Sequence, residues 1–120
     1  MSINIKRTGH TAIEVEDIKR SADFYINNFG FEEGYIAEDW GIVRKNGDDI
    51  AFIKKGVSHH PPHFGLRVNS NEEVEEAFNN LKDNVKILKE LKMHRDNSYS
   101  FNFADPDGNV VELIYDPNNP

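Results

Sequence analysis

Apolar and polar positions along this chain alternate between two periods, and the alternation runs through twice. In His10-Thr11-Ala12-Ile13-Glu14-Val15 the residues Thr11, Ile13 and Val15 share one face and His10, Ala12 and Glu14 the other, the period of two expected of a strand. Spacing then changes. Ile18, Ala22, Tyr25, Ile26 and Phe29 recur at helical intervals, with Asp17 placed to cap the helix and Gly30 to stop it. Short strands separated by turn residues follow, over roughly Phe31 to Glu38, Trp40 to Lys45 and Asp49 to Lys54, with Asn46-Gly47 as a hairpin signal between the last two. The same order begins again at His63-Phe64-Gly65-Leu66-Arg67-Val68. Ser70 and Glu73 form a capping box, Val74, Ala77, Phe78 and Leu81 give a one-sided helical stripe, and strands follow over Lys86 to Lys92, Ser98 to Ala104 and Asn109 to Tyr115. Asp105-Pro106-Asp107-Gly108 is the turn before the last strand. Each half therefore reads as βαβββ, and the fold class is α+β.

Both strands that open a module begin with histidine. If the aliphatic faces meet the helices, His10 turns away from the helix layer, and the same parity sends His63, Gly65 and Arg67 to the helix-free face while Phe64, Leu66 and Val68 pack. In the last strand Val111, Leu113 and Tyr115 share one face and Val110, Glu112 and Ile114 the other, so parity leaves the direction of Glu112 open. A histidine at the start of a strand is ordinarily an edge residue. Duplication changes the reading, because a related pair of histidines is what a shared central site requires, and two imidazoles with one carboxylate form a facial set for a divalent metal with open positions.

Composition narrows the chemistry. The 120 residues suit one domain over 1–120, with modules of about 5–56 and 63–117 sharing a core. With no cysteine, any metal ligands must come from His, Asp and Glu. A formal charge of −7 spread along the chain gives nucleic acid or an anionic membrane no electrostatic footprint, and a small ligand or a metal cation fits better. The N-terminal MSINIKRTGH lacks the apolar run of a signal peptide and no stretch approaches a membrane span, so a cytoplasmic location is expected.

The stretches GHTAIEVEDIKRSADFYINNFGFE, HFGLRV and FADPDGNVVELIYDP, in that order, resemble the vicinal oxygen chelate superfamily, the glyoxalase/bleomycin resistance protein/dioxygenase family. The resemblance implies paired βαβββ modules built into a curved mixed sheet around a cleft, with helices on the outer face. It implies a divalent metal ion at each site, of the Fe(II), Mn(II), Zn(II) or Ni(II) type, bound by His10, His63 and Glu112, and a small-molecule substrate. A homodimer is implied too. Glyoxalase I enzymes place a further Glu on the last strand of the first module. Superposing Ile50-Ala51-Phe52-Ile53 on Val110-Val111-Glu112-Leu113 puts Phe52 there, which points to the three-ligand dioxygenase and thiol-transferase branches. The runner-up reading is a metal-free homodimer that sequesters a drug or other ligand, as bleomycin resistance proteins do.

Other residues are weighed for secondary roles. Lys92 and Arg95 stand where fosfomycin thiol transferases use basic residues for the phosphonate, and Asn102 where those enzymes have a tyrosine near the substrate. His94 is a candidate acid/base and Arg67 a candidate substrate contact. Trp40 is expected to close over a substrate ring or to pack in a core or dimer contact. His59 and His60, adjacent in the linker, are expected to be exposed.

Overall fold

The computed structural model describes residues 3–57 and 60–120, so His59 lies outside the described residues. The chain divides into two compact units, Gly9–His63 and a second made of residues 1–8 with 64–120. Each carries a mixed four-stranded sheet and one helix, the βαβββ plan expected from the alternating periods.

In the first unit, β1 (His10–Val15), α1 (Ile18–Phe29), β2 (Glu32–Ile36), β3 (Trp40–Lys45) and β4 (Asp48–Lys54) assemble in the sheet order β2-β3-β4-β1. β1 runs parallel to β4, and the other pairs are antiparallel. Asp17 caps α1 by accepting the Arg20 N–H at 3.0 Å, and Gly30 ends it at φ 74°, a left-handed conformation that glycine adopts without a Cβ clash. Asn46 and Gly47 take φ 54° and 84°, the twin positive angles of the tight hairpin that their sequence signals. β2 ends earlier than the apolar pattern, because the Ala37 N–H turns back to the Trp40 carbonyl at 2.9 Å and closes the hairpin.

Ile13 and Val15 pack with Ile18, Ala22, Val43 and Phe52 under α1, so the aliphatic face of β1 does meet the helix. Ala12 belongs to a separate cluster with Ile42, Ala51 and Ile53 on the other face of the sheet.

The second unit contains β5 (His63–Arg67, its first residue belonging to the first unit), α2 (Asn71–Leu81), β6 (Lys86–Met93), β7 (Tyr99–Ala104) and β8 (Val110–Tyr115), in the order β5-β8-β7-β6. Ser70 caps α2 through the Glu73 N–H at 3.1 Å. The Glu73 carboxylate takes the Asn69 N–H at 2.6 Å, one residue earlier than the usual reciprocal box. The core is Val68, Val74, Ala77, Phe101 and Leu113, and Ile3 and Ile5 pack against it. Arg7 forms an antiparallel bridge to Arg67, so the first residues of the chain join the second module rather than the first.

Phe64 departs from expectation. It is 40% exposed, because the core under α2 takes in Val68 and leaves out the first residues of β5; Thr11, its counterpart in β1, is exposed as well. Among the described residues no helix is long and apolar enough to cross a membrane.

Candidate functional site

His10 opens β1 on the face opposite α1 and is only 7% exposed. Its Nε2 lies 3.3 Å from the Nε2 of His63, and the two rings are stacked with centroids 5.3 Å apart. His63 Nδ1 is 2.8 Å from the Pro61 carbonyl. A carbonyl only accepts, so Nδ1 carries the proton of neutral His63, and Nε2 presents its lone pair toward His10. That arrangement suits a cation. Two imidazole nitrogens at about 2.1 Å from one ion and roughly 100° apart stand a little over 3 Å from each other. A ring fixed through its other nitrogen by a backbone carbonyl is also the usual support for a metal-binding histidine.

In the second unit, β8 places Leu113 and Tyr115 in the cluster packed on α2, which sends Glu112 to the opposite face and settles the direction that parity left open. Phe101 and Phe103 of β7 join the same cluster, so Ser100 and Asn102 share the face of Glu112. In the β7–β8 ladder Asn102 is the direct neighbour of Glu112. Glu112 is 7% exposed, and its Oε2 accepts the Ser100 hydroxyl at 2.7 Å. His94, in the turn after β6, brings Nε2 to 2.6 Å from Ser100 Oγ and 3.7 Å from Glu112 Oε2. Asn102 is 2% exposed, and its Nδ2 has no hydrogen-bond partner among the described residues.

The remaining residues divide. Lys92 is exposed and sits opposite Ser100 in the β6–β7 ladder, while Arg95 is exposed in the following turn. Arg67 is buried to 2% exposure, and its Nη1 donates to the Asn119 carbonyl at 3.2 Å. Trp40 packs against Tyr35, ring centroids 4.5 Å apart, and against the Ala12 cluster.

The ladders correct one assignment. His10 and His63 are equivalent, so Ala12 corresponds to Gly65; Gly65 pairs with Glu112 and Ala12 with Ala51. Ala51, not Phe52, is therefore the counterpart of Glu112, and Phe52 points into the core under α1 at 0% exposure, stacked on Tyr25. The sequence Ile50-Ala51-Phe52-Ile53 is apolar on both faces, so only the register with β1 tells them apart. Alanine, like phenylalanine, offers no ligand.

Ser100 is the residue that sequence reasoning missed. Its signal was the alternation Ser100-Phe101-Asn102-Phe103, which puts polar groups on one face and rings on the other.

A profile of the Glyoxalase/Bleomycin resistance protein/Dioxygenase superfamily matches residues 7–113. A trivalent organoarsenical cleaving enzyme of Bacillus sp. (strain MD1) is 27% identical, over 88% of this chain and 71% of that protein. The fold is similar to methylmalonyl-CoA epimerase from Mycobacterium tuberculosis, with a TM-score of 0.74 at 16% identity over 93% of this chain and 89% of the other. It is similar also to the Mn(II)-bound glyoxalase from Novosphingobium aromaticivorans, with a TM-score of 0.72 at 16% identity over 93% of this chain and 39% of the other.

Proposed function

Because the chain belongs to the glyoxalase/bleomycin resistance protein/dioxygenase superfamily, we propose that it is a divalent-metal-dependent enzyme acting on a small, oxygen-rich chelating substrate. The ligands we propose are His10, His63 and Glu112, two imidazoles and a carboxylate, a donor set whose chemistry suits one such ion. The observation that carries the reading is the pair of imidazoles with Nε2 atoms 3.3 Å apart, one ring fixed in its tautomer by the Pro61 carbonyl. A bound divalent ion supplies Lewis-acid polarisation to substrate oxygens.

The chain's own residues do the rest. Two neutral imidazoles and one carboxylate leave a divalent ion with net positive charge, which favours an anionic or enolisable ligand over water. Asn102, buried beside Glu112 in the ladder, supplies an amide N–H to a substrate oxygen, and that contact would satisfy a donor that is otherwise costly to bury. Lys92 and Arg95 are exposed cations suited to a carboxylate or phosphonate on the substrate. His94 holds a proton at Nε2 toward Ser100, which makes it a donor at that atom.

Ala51 at the counterpart of Glu112 supports a three-ligand site, nearer to the dioxygenase and thiol-transferase branches than to glyoxalase I. The arsenical-cleaving relative acts on a soft element that favours thiolate, and this chain has no cysteine to offer, which favours an oxygen-rich substrate. Following the family resemblance, we assign a homodimer.

Metal content by mass spectrometry, on protein purified without an affinity tag or chelator, tests the proposal. We expect about one divalent ion per chain, removed by EDTA and restored by Fe(II), Mn(II), Zn(II) or Ni(II). No ion present, and none taken up at micromolar concentration, would overturn it in favour of a metal-free ligand-sequestering protein.

A further inference from the structure

We propose that Ser100 is the positioning residue for Glu112, with His94 acting on the carboxylate through the Ser100 hydroxyl. The inference rests on the metal reading above. Ser100 Oγ donates its single proton to Glu112 Oε2 at 2.7 Å. The contact of 2.6 Å between Ser100 Oγ and His94 Nε2 must then be a bond in which the imidazole N–H donates and the hydroxyl oxygen accepts. At 3.7 Å from Oε2, His94 is too far for a direct hydrogen bond to the carboxylate. The short hydrogen bonds run from imidazole to hydroxyl to carboxylate.

Each member of that chain is held in place. Ser100 and Glu112 are 2% and 7% exposed on neighbouring strands, which limits how far either side chain can move. His94 sits in a turn closed by its own N–H to the Ser98 carbonyl at 2.8 Å and by the Asn97 N–H to the His94 carbonyl at 3.0 Å. Asp96 stiffens the turn by accepting the Ser98 N–H at 3.0 Å and the Ser98 hydroxyl at 2.6 Å.

A neutral donor is the right kind of anchor for a ligand. A hydroxyl bonded to Glu112 fixes the plane of the carboxylate without occupying both of its oxygens. The Pro61 carbonyl does the corresponding thing for His63, so two of the three proposed ligands are each oriented by an uncharged group.

The test is the Mn(II) dissociation constant of the full chain, measured from the paramagnetic signal of free Mn(II), for the wild type and four variants. Ser100→Ala should weaken binding about 10- to 100-fold, the usual consequence of losing such a supporting bond. Ser100→Thr, which keeps the hydroxyl, should restore most of the affinity. His94→Ala should weaken binding less than Ser100→Ala, and should add nothing in the double variant, because it acts through the hydroxyl that is already gone.

A Ser100→Ala protein that folds and binds Mn(II) as tightly as the wild type would overturn the positioning role while leaving the metal site standing. Wild-type protein that takes up no Mn(II) would overturn both. If Ser100→Ala fails to fold, the less buried His94 decides: unchanged affinity in His94→Ala overturns the relay, and weakened affinity in a folded protein supports it.

Discussion

A buried polar side chain persists only where protein groups replace the water it gave up, so partners of buried residues carry information about role. Asp49, 3% exposed, has its answer in the Arg44 guanidinium, which donates Nε to Oδ1 at 2.6 Å and Nη2 to Oδ2 at 3.0 Å. Glu112 takes the Ser100 hydroxyl at 2.7 Å, with His94 Nε2 3.7 Å from the same oxygen. Asp105 shows the reverse case at the surface. The Asn109 side-chain amide, then the Asn109, Asp107 and Gly108 N–H groups, hold its carboxyl below the usual carboxylate range. A group depressed in the folded state adds stability above its unfolded value of about 3.9, and that stability is lost as pH falls through the lower folded value. We therefore expect Asp105→Asn to lower the thermal midpoint at neutral pH and to flatten the acid limb between about pH 4 and 2, so that variant and wild type converge in acid. An acid limb identical to that of the wild type would contradict this.

At the scale of elements, the two helices rest on devices that can be removed singly. Asp17→Ala deprives the first turn of α1 of its acceptor and should cost about 1 kcal/mol in urea denaturation. Gly30→Ala places a Cβ at φ 74° and 2.9 Å from Lys45 Nζ, which donates to the last α1 carbonyl, Phe29 O, at 3.2 Å. Left-handed strain alone should cost about 1–2 kcal/mol. Phe52→Ala empties a fully buried ring site under α1 and should cost about 3–5 kcal/mol; a loss below 1 kcal/mol would mean that Phe52 faces elsewhere.

Elements of this kind were legible in the sequence because period, cap and turn residues agreed over the same stretches. Asp17 and Gly30 bracketed α1, and Asn46-Gly47 closed its hairpin at the expected place. Legibility ended where a strand was apolar on both faces. In β4 the alternation carries no mark, so Phe52 was aligned with Glu112 in place of Ala51, and only hydrogen-bond register shows the one-residue difference. The apolar side chain of Phe64 likewise said nothing of how far along β5 the α2 core extends.

Over the whole molecule, the message of the sequence is duplication, and the structure bears it out as two βαβββ units, each with its own sheet and helix. His10, His63 and Glu112 are proposed as ligands from pattern and resemblance. The supporting Ser100 was not legible there, since a serine in a strand becomes distinctive only when its distances to Glu112 and His94 are known. Ile3 and Ile5 are an alternating pair whose packing partners show only in the structure, where they lie against the α2 core and Arg7 bridges Arg67.

The most direct measurement is a calorimetric titration of EDTA-treated protein with Mn(II), carried out in parallel on wild type and His63→Ala. The account predicts one saturable site per chain in the wild type and its loss in His63→Ala, with the metal-free proteins unfolding at closely similar temperatures. Equal affinity in the two proteins would contradict the assignment of His63 as a ligand, and the absence of saturable binding in the wild type would contradict the metal centre itself.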